Sequence, residues 1–346
     1  MQLRHTKQQL NRALKYPFTD LDRVKYLPVW KIFLIMVAIW FAAQAAAIFS
    51  LVIVAFLNQL IFWISNTHID IEVFSALTII ITVFLSSLAM IFLVLLWSLG
   101  AERKELADLG VRFDATGWRQ YGIGLVGGFL FVLSLVLLVI GAQEIFSFGT
   151  TSEKLINLLS GWDNLGGSKF WVMVVVLAVL FAVQGASEEL FCRGWLLGAL
   201  AAKRGIVFGL IMSSFLFASL HVHYFFNDGL AISSKQLLIG SIAIGAMLFM
   251  GIMFGLFSIR DRSIMGAAGF HSSFNFFAIV FSMIAVLQSE EAKEVMEALS
   301  QAFSKSTSVQ DLTPALVVQL VLSVLVSGFL FWRFGLPKPE VSSEKP

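Results

Sequence analysis

Stretches of about 20 apolar residues, the length that crosses a bilayer as a helix, recur near 32–57, 74–98, 119–141, 170–192, 206–226, 236–258, 266–287 and 314–333. In hydrocarbon every backbone N–H and C=O must be satisfied within the segment, which leaves the helix as the conformation open to an isolated run of this kind. The composition agrees. Of 346 residues, 58% are hydrophobic and 13% charged, whereas a soluble domain carries about 25% charged residues. The expected fold is therefore all-α, a polytopic integral membrane bundle of about eight transmembrane helices. The run from 32 to 64 is long enough to extend beyond one span.

Basic residues set the expected orientation. With an inside N-terminus, 19 of the 24 Lys and Arg fall on inside segments and 5 on outside ones. That bias places both termini in the cytoplasm. A net charge of +2 without a basic, aromatic-laced stripe speaks against a nucleic-acid partner. The lone Cys192 excludes an intrachain disulfide. The first apolar run is too long for the core of a signal peptide, so no cleaved leader is expected. Neither a prenylation box nor a myristoylation start is read at the ends.

The chain divides into a basic cytoplasmic segment at 1–31, a transmembrane domain at 32–334 and a polar tail at 335–346. Residues 1–16 read either as a basic amphipathic helix on the inner leaflet or as a solvated tail. Short amphipathic segments are expected on the outer side near 155–162 and 295–303. There is no internal repeat.

Against this background the polar residues stand out. Glu188 and Glu189 sit in the fourth window, with Arg193 one turn on. A charge at the bilayer centre costs about 2.5–3.5 kcal/mol even on lenient scales, so such residues are functional candidates. Glu189 and Arg193 are four apart and share a helix face, where they can pair. Glu188 is turned about 100° away, with Gln184 one turn before it on its own face. An ion pair that only fixes helix packing would account for Glu189 and Arg193 and leave Glu188 without a use. An unpaired carboxylate against apolar walls is pushed towards the protonation range of a general base.

The fourth and fifth windows meet at a tight turn around Gly205. Counting equal distances back to Glu189 and forward to His221 puts both about 24 Å from the turn in an antiparallel hairpin. The two are thus expected to be level and able to touch, with Phe217 packed one turn before His221. His271 and Asn275 share a face at the start of the seventh window, where Asn N–H groups suit a developing oxyanion. Interhelical hydrogen bonding is the other use of such a pair. Counted from the end of its window, His271 lies shallower than Glu189.

Two histidines and a glutamate also form a known zinc set, so Glu188, His221 and His271 are the candidate ligands should a zinc ion be present. No His-Glu-x-x-His run occurs, and His223 falls about 200° round a helix from His221. Three function classes stay open on these residues: hydrolysis in the membrane, a transporter or proton relay, and a non-catalytic scaffold.

Taken in order, Glu188-Glu189 with Arg193, Phe217 with His221, and His271 with Asn275 resemble the motifs of the CPBP family of intramembrane endopeptidases. That family includes CAAX prenyl proteases and bacteriocin-processing or immunity proteins and is also called Abi. The pattern is Glu-Glu-x-x-x-Arg, then Phe-x-x-x-His, then His-x-x-x-Asn or Asp, and this chain meets it at every position across a core of about 118–288. The resemblance implies that Glu188 and His221 activate a water and that His271 with Asn275 stabilises the oxyanion. Glu189 and Arg193 would support them. It implies a peptide or protein substrate, prenylated or bacteriocin-like, a lipid surround, and a bacterial inner membrane as the location. Relatives are described both as metalloproteases and as metal-independent glutamate hydrolases, so zinc stays open.

Overall fold

The computed structural model describes residues 27–66, 71–147, 168–225, 233–287 and 313–335. The basic segment expected at 1–16, the outer segments at 155–162 and 295–303, and the tail beyond Gly335 lie outside the described residues.

Helix α1 spans Val29–Ser65 and α2 spans Ile71–Leu95, which runs on as a π-helical turn at Leu96–Ala101. A connector with a 3-10 turn at Leu106–Leu109 leads to α3, Ala115–Ser147. Helix α4, Ser168–Glu189, continues through a second π-helical stretch, Leu190–Leu197, into α5, Gly198–Arg204. Then come α6 (Ile206–Ser219), α7 (Ser234–Asp261), α8 (Met265–Leu287) and α9 (Thr313–Phe334). The described residues contain no strand. Among them, seven helices are long and apolar enough to cross a membrane, while α6 is shorter.

Each expected window thus holds a helix, and the long first run is a single helix of 37 residues. The fifth differs. It was expected to reach 226 and stops at Ser219, where the amides of Leu220 and His221 bond back three residues, to Phe217 and Ala218. That tightening ends the α-helix before His221, which therefore sits in a turn rather than on a regular helical face.

The outward surface is apolar. Phe41, Phe92, Val175, Leu238 and Leu325 are all more than half exposed, as lipid contact requires and as water would penalise. With lipid outside, tight packing rather than apolar burial must draw the helices together. Gly124 and Gly128 of α3, four apart, press directly on the backbone of Gly266 and Phe270 in α8.

The connector closes one end of the bundle. Gly110 O accepts from Ile264 N and from Ser263 Oγ, both at 3.0 Å, so the start of α8 is buried under it. Glu102 accepts the indole N–H groups of Trp97 (2.9 Å) and Trp195 (3.2 Å), tying the two π-helical turns together. At the N-terminus of α3, Asp114 caps the helix by accepting from Gly117 N (2.7 Å). The Arg112 guanidinium beside it, together with this amide, holds the Asp114 carboxyl below the usual carboxylate range.

Candidate active site

The end of α4 brings the acids to the middle of the bundle. Glu189 and Arg193 are wholly buried and paired at 2.9 Å, as their four-residue spacing predicts. Arg193 Nη2 also donates to Gly251 O of α7 (3.0 Å). Its guanidinium lies 4.5 Å from the Phe217 ring centroid and 5.3 Å from that of Phe254. A dry cation thus has a carboxylate, a carbonyl and two aromatic faces, the combination that makes burying it tolerable.

Helix α8 delivers His271 to the same place. Its Nδ1 lies 2.9 Å from Glu189 Oε1 and its Nε2 lies 3.7 Å from Glu188 Oε2. The shallower depth expected for His271 is corrected here. Helix α8 begins inside the protein, beneath the connector, so His271 is already level with the end of α4. Gly185 permits that approach, since a Cβ there would stand 2.5 Å from Ser272 Oγ and 2.8 Å from Ser272 N.

The tautomer of His271 follows from its partner. An ionised Glu189 beside Arg193 accepts and does not donate, so Nδ1 carries its hydrogen. Phe254 stacks on the imidazole at 5.0 Å and Phe217 meets it edge-on at 5.9 Å. The orientation of the ring is fixed on both sides, and Nε2 is turned to Glu188.

Glu188 differs from its neighbour. Its side chain is 19% exposed while that of Glu189 is fully buried. Glu188 Oε1 accepts from Gln184 Nε2 (3.2 Å), and Gln184 Oε1 accepts from Asn275 Nδ2 (3.4 Å). His221 packs on Phe217 at 5.1 Å, its Nδ1 lies 3.1 Å from Phe217 O, and it is within electrostatic reach of Glu188 and His271. Glu188, Glu189, Arg193, Phe217, His221, His271 and Asn275 therefore gather around one polar centre, wholly buried at Glu189 and Arg193 and partly exposed at Glu188. His221 is thus placed beside Phe217 and within the influence of the Glu188 charge.

The arrangement can do acid–base chemistry. A carboxylate oxygen and an imidazole nitrogen 3.7 Å apart can both reach one water at hydrogen-bond distance, about 2.8 Å from each. Among the described residues no three His, Cys, Asp or Glu side chains are grouped to hold a metal ion. His271 Nδ1 lies against Glu189 and His221 Nδ1 against Phe217 O, which leaves Nε2 of each ring as the atom that would meet a zinc ion.

Sequence reasoning missed Phe254 and the Gly251 carbonyl. Both lie on α7, an apolar helix whose local sequence offers no cue to what it will face.

This centre lies within a recognisable segment. Residues 167–277 match the family model described as Type II CAAX prenyl endopeptidase Rce1-like. The segment is consistent with the CPBP family. All seven motif residues fall inside it, and it spans about a third of the chain. Neither the curated proteins nor the solved structures contain a significant match. The Rce1-like match implies a protease acting in the membrane on a peptide or protein substrate. It accords with the helices of the bundle, which indicate a multi-pass integral membrane protein.

Proposed function

We propose that this chain hydrolyses a peptide bond by direct attack of a water activated by Glu188. The observation that carries the reading is the pair Glu188 Oε2 and His271 Nε2, 3.7 Å apart, with the histidine anchored from behind by Glu189. A structural ion pair accounts for Glu189 and Arg193 but gives no reason for a second, partly exposed carboxylate aimed at the same imidazole.

In this reading Glu188 Oε2 takes a proton from water as its oxygen adds to the scissile carbonyl carbon. The carbonyl oxygen becomes an oxyanion that receives a hydrogen bond from Asn275 Nδ2, and from His271 Nε2 when the ring is protonated. On collapse the C–N bond breaks, and the proton held by Glu188 passes to the departing amine. His221 flanks the water through its electrostatic contact with Glu188. Glu189 and Arg193 hold His271 without taking a proton. Preorganised donors and a positioned base of this kind are each worth on the order of 10²–10³-fold in rate.

The substrate belongs with the prenylated or bacteriocin-like peptides of the resembled family, and the site opens within a bacterial inner membrane with both termini cytoplasmic. Purified protein in detergent, given a quenched-fluorescent peptide bearing farnesyl-cysteine, tests the reaction. Cleavage by wild type and none by Glu188→Gln, matched for melting temperature, supports it. Equal cleavage by both overturns it. Metal dependence is read in the same assay. Activity that survives exhaustive chelation fits direct attack, whereas loss restored by zinc alone would assign Glu188, His221 and His271 as ligands.

A further inference from the structure

Gln184 lies outside the three motifs, yet it joins two of them. Its Nε2 donates to Glu188 Oε1 (3.2 Å) and its Oε1 accepts from Asn275 Nδ2 (3.4 Å), bridging α4 and α8. Gln184 and Glu188 are one turn apart on α4, so the first bond needs only the helix. The second depends on the close approach of α4 and α8 at Gly185 and Ser272.

We infer that Gln184 is a positioning residue that sets both the reactive oxygen of Glu188 and the orientation of the Asn275 amide. The direction of the two bonds follows from charge. An ionised carboxylate only accepts, so Gln184 must turn its NH₂ to Glu188, and its carbonyl then faces Asn275. A carbonyl oxygen there can only accept, so Asn275 must turn its own NH₂ inward. An amide flip at either residue would set oxygen against oxygen. Glu188 Oε1 is thereby occupied, and Oε2 is left 3.7 Å from His271 Nε2. Asn275 Nδ2 keeps a second N–H for an oxyanion. The relay makes the charge on Glu188 determine which end of Asn275 meets the substrate.

The catalytic meaning rests on the proposed hydrolysis; the bonds themselves do not, and two readouts keep these apart. The first is activity-free. The infrared difference between wild type and Glu188→Gln, in purified full-length protein, isolates the Glu188 carboxylate band. The same difference taken in a Gln184→Met background is expected to place that band at a shifted frequency, because the N–H donor is gone while the side-chain size is kept. An unshifted band overturns the inference.

The second readout is cleavage of the farnesyl-cysteine peptide. Gln184→Met is expected to lower kcat on the order of 10- to 100-fold, with KM changed by no more than about twofold. Gln184→Met should slow Asn275→Ala by less than it slows wild type, because the orientation of Asn275 is already lost there and only the bond to Glu188 remains to break. A rise in KM at unchanged kcat, or additive losses, would reduce Gln184 to a packing role and overturn the inference. If wild type leaves the peptide uncut, the proposed hydrolysis fails on that substrate, and the infrared band still decides Gln184. Should Gln184→Met not fold, Gln184→Glu serves. It keeps an acceptor for Asn275 but faces Glu188 with another acceptor, so the same band shift and kcat loss are expected.

Discussion

Arg193 carries a full charge in a fully buried position, so its removal is the most damaging single truncation of the site. Arg193→Ala leaves Glu189 buried without its cation, for which a loss of about 3–5 kcal/mol is expected, measured as a drop in melting temperature in detergent. Phe217→Leu removes the ring under the guanidinium and the contact to His221. The smaller cost of about 1–2 kcal/mol expected for it is close to that of a desolvated cation–π contact. Glu188→Gln should leave stability unchanged and abolish cleavage, separating the two adjacent acids by role. The pairing of Glu189 with Arg193 was legible in the sequence because it is set by helix spacing alone. The anchoring of His271, the stacking of Phe254 and the bond from Arg193 to Gly251 were not, since they join residues 17 to 82 positions apart on different helices.

Between helices, the proposed hydrolysis depends on how closely α4 and α8 approach. Gly185→Leu would drive a branched side chain into Ser272 and is expected to cost about 1–3 kcal/mol as overpacking. It should also slow cleavage, because His271 and Asn275 would be pushed away from Glu188. A variant that melts lower yet keeps full kcat would count against this coupling. The Asp114 cap of α3 has its own pH signature. Its folded carboxyl titrates below the ordinary value, so the contribution is complete above about pH 4 and fades as pH falls through the lower folded value. Helix positions were readable from apolar windows, which depend on local composition. The end of α6 at Ser219 and the π-helical turn after Glu189 were not, because no proline marks either change in backbone hydrogen bonding.

Across the whole molecule, the basic residues predict a topology with both termini on the cytoplasmic face. Cys192 is fully buried, so an impermeant maleimide should leave the native chain unlabelled in intact cells. Single cysteines at Arg103 and Lys338 should stay unlabelled until the membrane is opened, whereas one at Lys154 should react from outside. Labelling of Lys338→Cys in intact cells would reverse the orientation. The site itself was recognisable because its three motifs arrive in order within the segment that matches the CAAX endopeptidase model. Their convergence at one depth, with α8 starting inside the protein, depends on the connector under it and could not be counted from the ends of the windows.

On the proposed mechanism, Glu188 makes this bundle a protease. The most direct test compares protein and peptide termini in cells expressing wild type or Glu188→Gln, matched for abundance and detergent stability. The account predicts termini that appear only with wild type, which would establish proteolysis and name the substrate together. Identical termini, with any phenotype retained by Glu188→Gln, would contradict it and point to a transporter or scaffold on the same fold.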